Sequence, residues 1–106
     1  MTASLNFQLT GQRALVTAGA QGIGLAITEA FLQQGAEVYI CDIDRAALDQ
    51  TKSKYPQVHI SHTDVGNESQ VLAMFADIQQ RFGQLDILVN NAGIAGPTAA
   101  IEDTIL

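Results

Sequence analysis

Arg13-Ala14-Leu15-Val16-Thr17-Ala18-Gly19-Ala20-Gln21-Gly22-Ile23-Gly24 carries an apolar run straight into a glycine-rich turn. The run reads as a buried strand, and the turn opens a helix. Asp42 stands 18 positions beyond Gly24, close to the offset of about 20 residues at which a carboxylate reaches a ribose in a dinucleotide site. A helix N-terminus offers unpaired N–H groups and the positive end of a dipole to a pyrophosphate. Side chains at Gly19, Gly22 or Gly24 would hold the phosphates away. Ile23 is expected to lend its N–H while its side chain packs inward. The plainer reading is a tight turn without a ligand, but three glycines weaken a helix start that needs no close approach.

Working outward, strand-like and helix-like segments alternate. Ile23, Ala26, Ile27, Ala30 and Phe31 recur at helical spacing, and Gly35 is a natural stop. Val38 to Cys41 reads as a second strand. Asp44 to Ser53 reads as a polar helix held down by Ala47 and Leu48. Pro56 breaks the chain before a third strand, Val58 to Ile60. Asn67 caps a third helix with Gln70 at the capping-box position, and Val71, Phe75, Ile78 and Phe82 supply its apolar face. Gly83 ends that helix, and Leu85 to Val89 is the fourth strand, interrupted by Asp86. The alternation predicts an α/β chain: a Rossmann-type doubly wound parallel sheet, partial, with strand order 3-2-1-4 and the later strands absent. A flavodoxin-like α/β domain is the alternative on alternation alone.

The 106 residues suit one domain, 47% hydrophobic and 15% charged. A net charge of −6 without a basic cluster argues against nucleic acid or an anionic membrane as partner. Cys41 is the lone cysteine and excludes an internal disulfide, which fits a cytoplasmic protein. Met1 to Thr10 lacks the basic and apolar regions of a signal peptide, and no apolar run spans a membrane.

Asp42 decides between cofactors. Its carboxylate can accept from both ribose hydroxyls of NAD and would repel the 2′-phosphate of NADP. Gln21 is neutral, Ile43 follows the aspartate, and Arg45 is the only nearby cation, so NAD is favoured over NADP. A solvated strand end or a helix N-cap is the plainer role for Asp42.

Thr-x-x-x-x-Gly-Ile-Gly after the first strand, Asp64-Val65 after the third and Asn90-Asn91-Ala92-Gly93 after the fourth resemble the short-chain dehydrogenase/reductase family. The resemblance covers about residues 8 to 106. It implies that Asp64 contacts the adenine amino group and that the Val65 backbone seats the base. It implies too that Asn91, Ala92 and Gly93 line the cofactor's ribose, with Asn90 tying the strand end into the sheet. One position departs from the pattern: Ala18 replaces the family's first glycine, and Gly19 beside it is expected to absorb the φ change.

The same resemblance implies hydride transfer between nicotinamide and a small carbonyl or alcohol substrate, with a Tyr-x-x-x-Lys acid/base. Tyr39 lies in the second strand and Tyr55 has His59 four residues on, so neither matches and no catalytic residue is assigned. His59 and His62, with Asp64 nearby, point to opposite faces of a strand, and no metal site is assigned. Cys41 reads as a small buried residue. The chain thus reads as the NAD(H)-binding, N-terminal half of such an oxidoreductase, without turnover alone, its fourth strand an uncovered edge and its full-length form a homo-oligomer. A free-standing nucleotide-binding or regulatory module is the alternative.

Overall fold

The structure is a computed structural model that describes residues 8–92. Four strands and three helices alternate: β1 (Arg13–Thr17), α1 (Gly22–Gln33), β2 (Glu37–Asp42), α2 (Arg45–Lys54), β3 (His59–His62), α3 (Glu68–Arg81) and β4 (Ile87–Val89). All pairings are parallel and the order is β3-β2-β1-β4, as the alternation predicts. β1 sets Val16 beside Ile40 on one side and Val89 on the other. Short parallel strands need helical crossovers, and each helix supplies one.

Side-chain alternation divides the core into two faces. Val16, Val38 and Ile40 pack with Ala20, Ala36, Ala47 and Leu48, joined by Ile27 and Phe31 of α1. Leu15, Tyr39 and Cys41 point the other way and meet Met74, Ile78 and Phe82. Both faces of β1 and β2 are therefore covered, which explains their near-continuous apolar sequence.

Element ends follow local chemistry. Gly35, at φ +91°, closes α1 as expected. The Asp44 side chain accepts from Ala47 N at 3.0 Å and caps α2, where Ala47, Leu48 and Thr51 are buried. Asn67 caps α3 by accepting from Gln70 N at 3.1 Å. Two strand starts and one helix face differ from the sequence reading. Val58 is fully buried but belongs to the turn, its N–H donating to Tyr55 O at 3.0 Å, so β3 starts at His59. β4 starts at Ile87, because the Asp86 carboxylate accepts from Arg13 N at 2.8 Å and marks the strand's entry. The buried seam of α3 runs through Met74, Ile78 and Phe82 at four-residue spacing, leaving Val71 and Phe75 half-buried. Among the described residues no helix is long and apolar enough to cross a membrane.

Candidate functional site

The carboxyl ends of all four strands lie along one edge of the sheet, where the turn after β1 is held from several sides. Gly19 N–H donates to Cys41 O at 3.2 Å, and Ala20 N–H to Asp42 Oδ2 at 3.2 Å. The Thr28 hydroxyl, fully buried, reaches Gly24 O at 2.9 Å and Gly19 O at 3.1 Å. Nothing in the spacing rules singles out Thr28, because its partners are backbone atoms placed by the turn itself.

The three glycines do different work. A Cβ on Gly19 would stand 2.7 Å from Ile40 Cγ2, and one on Gly24 only 2.0 Å from Ala18 O. Both therefore allow close packing, of the turn against β2 at Gly19 and of the α1 start against the Ala18 carbonyl at Gly24. Gly22 alone has φ +59° with nothing near the position of a Cβ. Ala18 itself adopts φ +52°, so Gly19 does not absorb the change as expected. Ile23 is 70% exposed, against the expectation that it packs inward. At the first turn of α1 its direction is set by the helix entry, where the covered positions are Gly24 and Thr28.

Gln21 is the N-cap of α1, yet its side chain makes no capping bond and the first turn carries no acidic residue. The opening amides of that helix have no partner within it. The Gln21 amide instead reaches Asp42 Oδ1 at 3.4 Å. Asp42, 4% exposed, also accepts from Asp44 N at 3.0 Å, so it links the glycine turn to the start of α2 while Asp44 is the cap.

A cavity of about 310 Å³ lies against these residues. Ala18 and Gln21 line it from the turn, Asp42 and Ile43 from the end of β2, Asp64 and Val65 from beyond β3, and Ala92 from beyond β4. Thr63, not singled out from sequence, and Cys41, read there as a small buried residue, line it too. Among the described residues its charged lining is Asp42 and Asp64, both acidic. Burial pushes the Cys41 thiol up to about 11, against the bond from the Ala18 amide, which keeps it a neutral packing group. Arg45 pairs with Asp49 on α2 at 3.4 Å.

Asn91 stands behind the turn, its amide donating to Ala18 O at 3.2 Å. Thr17 holds the same loop: its hydroxyl lies 3.2 Å from Asn90 Oδ1 and accepts from Ala92 N at 2.9 Å. Gly93 lies outside the described residues. Asp64 Oδ1 accepts from Gly66 N at 2.8 Å, a local turn contact.

The other polar residues are built into the frame. Tyr39 OH donates to Asp77 at 2.6 Å, and burial with that carboxylate pushes the phenol well above its ordinary value, the wrong direction for an acid/base near neutrality. Tyr55 OH donates to Glu29 at 2.6 Å. His59 stacks on Tyr39 and meets Phe82 edge-on, while His62 Nε2 lies 3.0 Å from Ile43 O.

Comparison with known proteins adds four findings. A family model described as short chain dehydrogenase matches residues 12–105. A short chain dehydrogenase/reductase of Colletotrichum higginsianum is 43% identical over 90 residues, 81% of this chain and 34% of that protein. The solved 2-keto-3-deoxy-D-gluconate dehydrogenase of Streptococcus agalactiae superposes with TM-score 0.76 at 39% identity, over 92% of this chain and 38% of that one. The 3-ketoacyl-(acyl-carrier-protein) reductase of Brucella melitensis, solved with NADH, gives 0.76 at 34% identity, over 80% of this chain and 35% of that one. The chain thus spans a little over a third of the length of the relatives it matches.

Proposed function

The chain belongs to the short-chain dehydrogenase/reductase family, and we propose that it forms the NAD(H)-binding portion of an oxidoreductase acting on a carbonyl or alcohol substrate. The observation that carries this is the joining of an uncapped α1 N-terminus, an open Gly22 and the Asp42 carboxylate beside one cavity. The amides of Gly22, Ile23 and Gly24 would hold the pyrophosphate, where fixed dipoles favour negative charge. Ala18 and Gln21 would flank it, with Gly19 keeping the turn close to β2.

Asp42 would accept from the hydroxyls of the adenosine ribose. A 2′-phosphate about 4 Å from that carboxylate costs several kcal/mol at an effective dielectric near 20. Among the described residues the cavity's lining includes no cation to offset it, which supports NAD over NADP. Ile43, 69% exposed, and Val65, 41% exposed, present apolar surface to a flat base, and Asp64 offers a carboxylate to its amino group. Asn91, Ala92 and Gly93 would border the nicotinamide ribose.

The bound dinucleotide would supply or accept a hydride; the residues described here bind and orient it. The 106 residues contain no Tyr-x-x-x-Lys, so a polypeptide of these residues alone should bind cofactor without turnover. Relatives bearing different substrate names align equally well, so the substrate class stays at carbonyl or alcohol. A calorimetric titration tests the proposal: NADH and ADP-ribose should bind, and NADPH at least tenfold more weakly. Equal affinity for NADPH would sink the cofactor choice, and no binding by either adenosine ligand would sink the site.

A further inference from the structure

We propose that Gln70, on α3 and outside the cavity of the proposed cofactor site, is a positioning residue for the adenine end of that site. The inference rests on the dinucleotide reading given above. Its starting point is a hydrogen bond taken from a different amide than helix capping uses. In a closed capping box the N-cap side chain accepts from the third helical amide, and the third side chain returns to the N-cap amide. The first half is present, Asn67 Oδ1 accepting from Gln70 N at 3.1 Å. The second is diverted. Asn67 N–H donates to Asp64 O at 2.9 Å, and Gln70 Oε1 accepts from Asp64 N–H at 2.8 Å.

The diversion matters because of where Asp64 sits. Thr63 N–H donates to Asp42 O at 3.2 Å, the last bond from this stretch back to β2. Asp64 and Val65 then leave the sheet as one wall of the 310 Å³ cavity, opposite residues from the end of β2. The Gln70 side chain ties that departing backbone to α3, which is itself anchored in the core through Met74 and Ile78. The separation between Val65 and Ile43 is thereby set before a base enters. Ordering a loop on binding costs affinity, and a loop already held avoids that cost.

Titrations of the full chain with two half-ligands, ADP-ribose and reduced nicotinamide mononucleotide, read this directly. Gln70→Met keeps the side chain's length but removes the acceptor. It should weaken ADP-ribose about fivefold, the worth of one net hydrogen bond, and leave the mononucleotide unchanged. Gln70→Glu keeps an acceptor and should recover most of the loss. In the ligand-free chain, the Asp64 amide should exchange with solvent faster in Gln70→Met than in the unsubstituted protein. Unchanged ADP-ribose affinity, equal loss of both half-ligands, or an unchanged Asp64 exchange rate would each overturn the proposal. Failure of the unsubstituted chain to bind ADP-ribose would overturn the site reading beneath it, an outcome visible before any variant is made.

Discussion

Asn91 donates its side-chain amide to the Ala18 carbonyl at 3.2 Å, joining the end of β4 to the turn after β1 across 73 positions of sequence. That same carbonyl oxygen lies 2.0 Å from where a Cβ on Gly24 would stand. The turn is thus pinned between a side chain on one side and a helix backbone on the other.

Gly24→Ala and Gly22→Ala should consequently differ. The Gly24 methyl meets backbone that Asn91 holds in place, so overpacking there should cost about 3 kcal/mol or more. The Gly22 methyl enters open space and faces only the left-handed φ of +59°, worth about 1 kcal/mol. Urea unfolding of the two variants measures both, and a larger loss at Gly22 would contradict the packing role of Gly24.

Ala18 holds φ +52° without being glycine. The left-handed conformation costs an alanine about 1–2 kcal/mol, partly offset because glycine loses more entropy on folding. Ala18→Gly should therefore raise unfolding stability by about 0.5–1 kcal/mol. A lower urea midpoint in the variant would show that the methyl contributes packing that outweighs its strain.

The Asp42 carboxylate takes the amides of Ala20 and Asp44 at a site 4% exposed. Asp42→Ala leaves both donors without that acceptor and should cost about 2 kcal/mol. It should also narrow the proposed preference for NADH over NADPH, since the repelling charge is gone. Unfolding and paired titrations separate the two effects. A variant as stable as the parent would mean that water replaces the carboxylate at both amides.

His59 provides a pH-dependent term. Burial first, then Arg81 and Lys52, hold its ring below the ordinary value of 6.5, with Glu37 and Asp77 opposing. The unfolded chain therefore takes up a proton at a pH where the folded chain does not. Stability falls as pH drops below about 6.5 and levels off beneath the folded value. His59→Phe keeps a ring against Tyr39 and Phe82 and should flatten this part of the profile. Parallel slopes for parent and variant between about pH 7 and 5 would show that His59 contributes nothing to it.

Much of the architecture is legible in the residues. The order β3-β2-β1-β4 follows from alternating periods and from the handedness of crossovers, both of which are local or general rules. The caps at Asp44 and Asn67 and the stop at Gly35 follow from their own chemistry. The glycine turn and Asp42 do come to one cavity with Asp64, Val65 and Ala92. The seam of α3 is less legible, because Val71, Met74, Phe75 and Ile78 all satisfy a helical period and only the facing strands decide which are covered. Thr28 is invisible for a related reason: a threonine within a helix announces nothing until two carbonyls are placed beside it.

The sequence by itself determined the class of fold, the order of its strands and the turn at which a dinucleotide would be sought. Periodicity and turn chemistry act within a few residues, and parallel βα units leave few ways to assemble. Only the tertiary structure decided which glycine is open and which two are packed, that Ala18 carries the unusual φ, that Ile23 faces outward and that Gln70 holds Asp64. The glycine packing is set by atoms of Ile40, Ala18 and Asn91 that meet the turn when the sheet closes. Ala18 is clamped by the amide of Asn91, and the bond between Gln70 and Asp64 spans six positions where the chain passes from β3 into α3. A residue type can state what it is able to bond, but which partner it meets is chosen by the three-dimensional path of the chain around it.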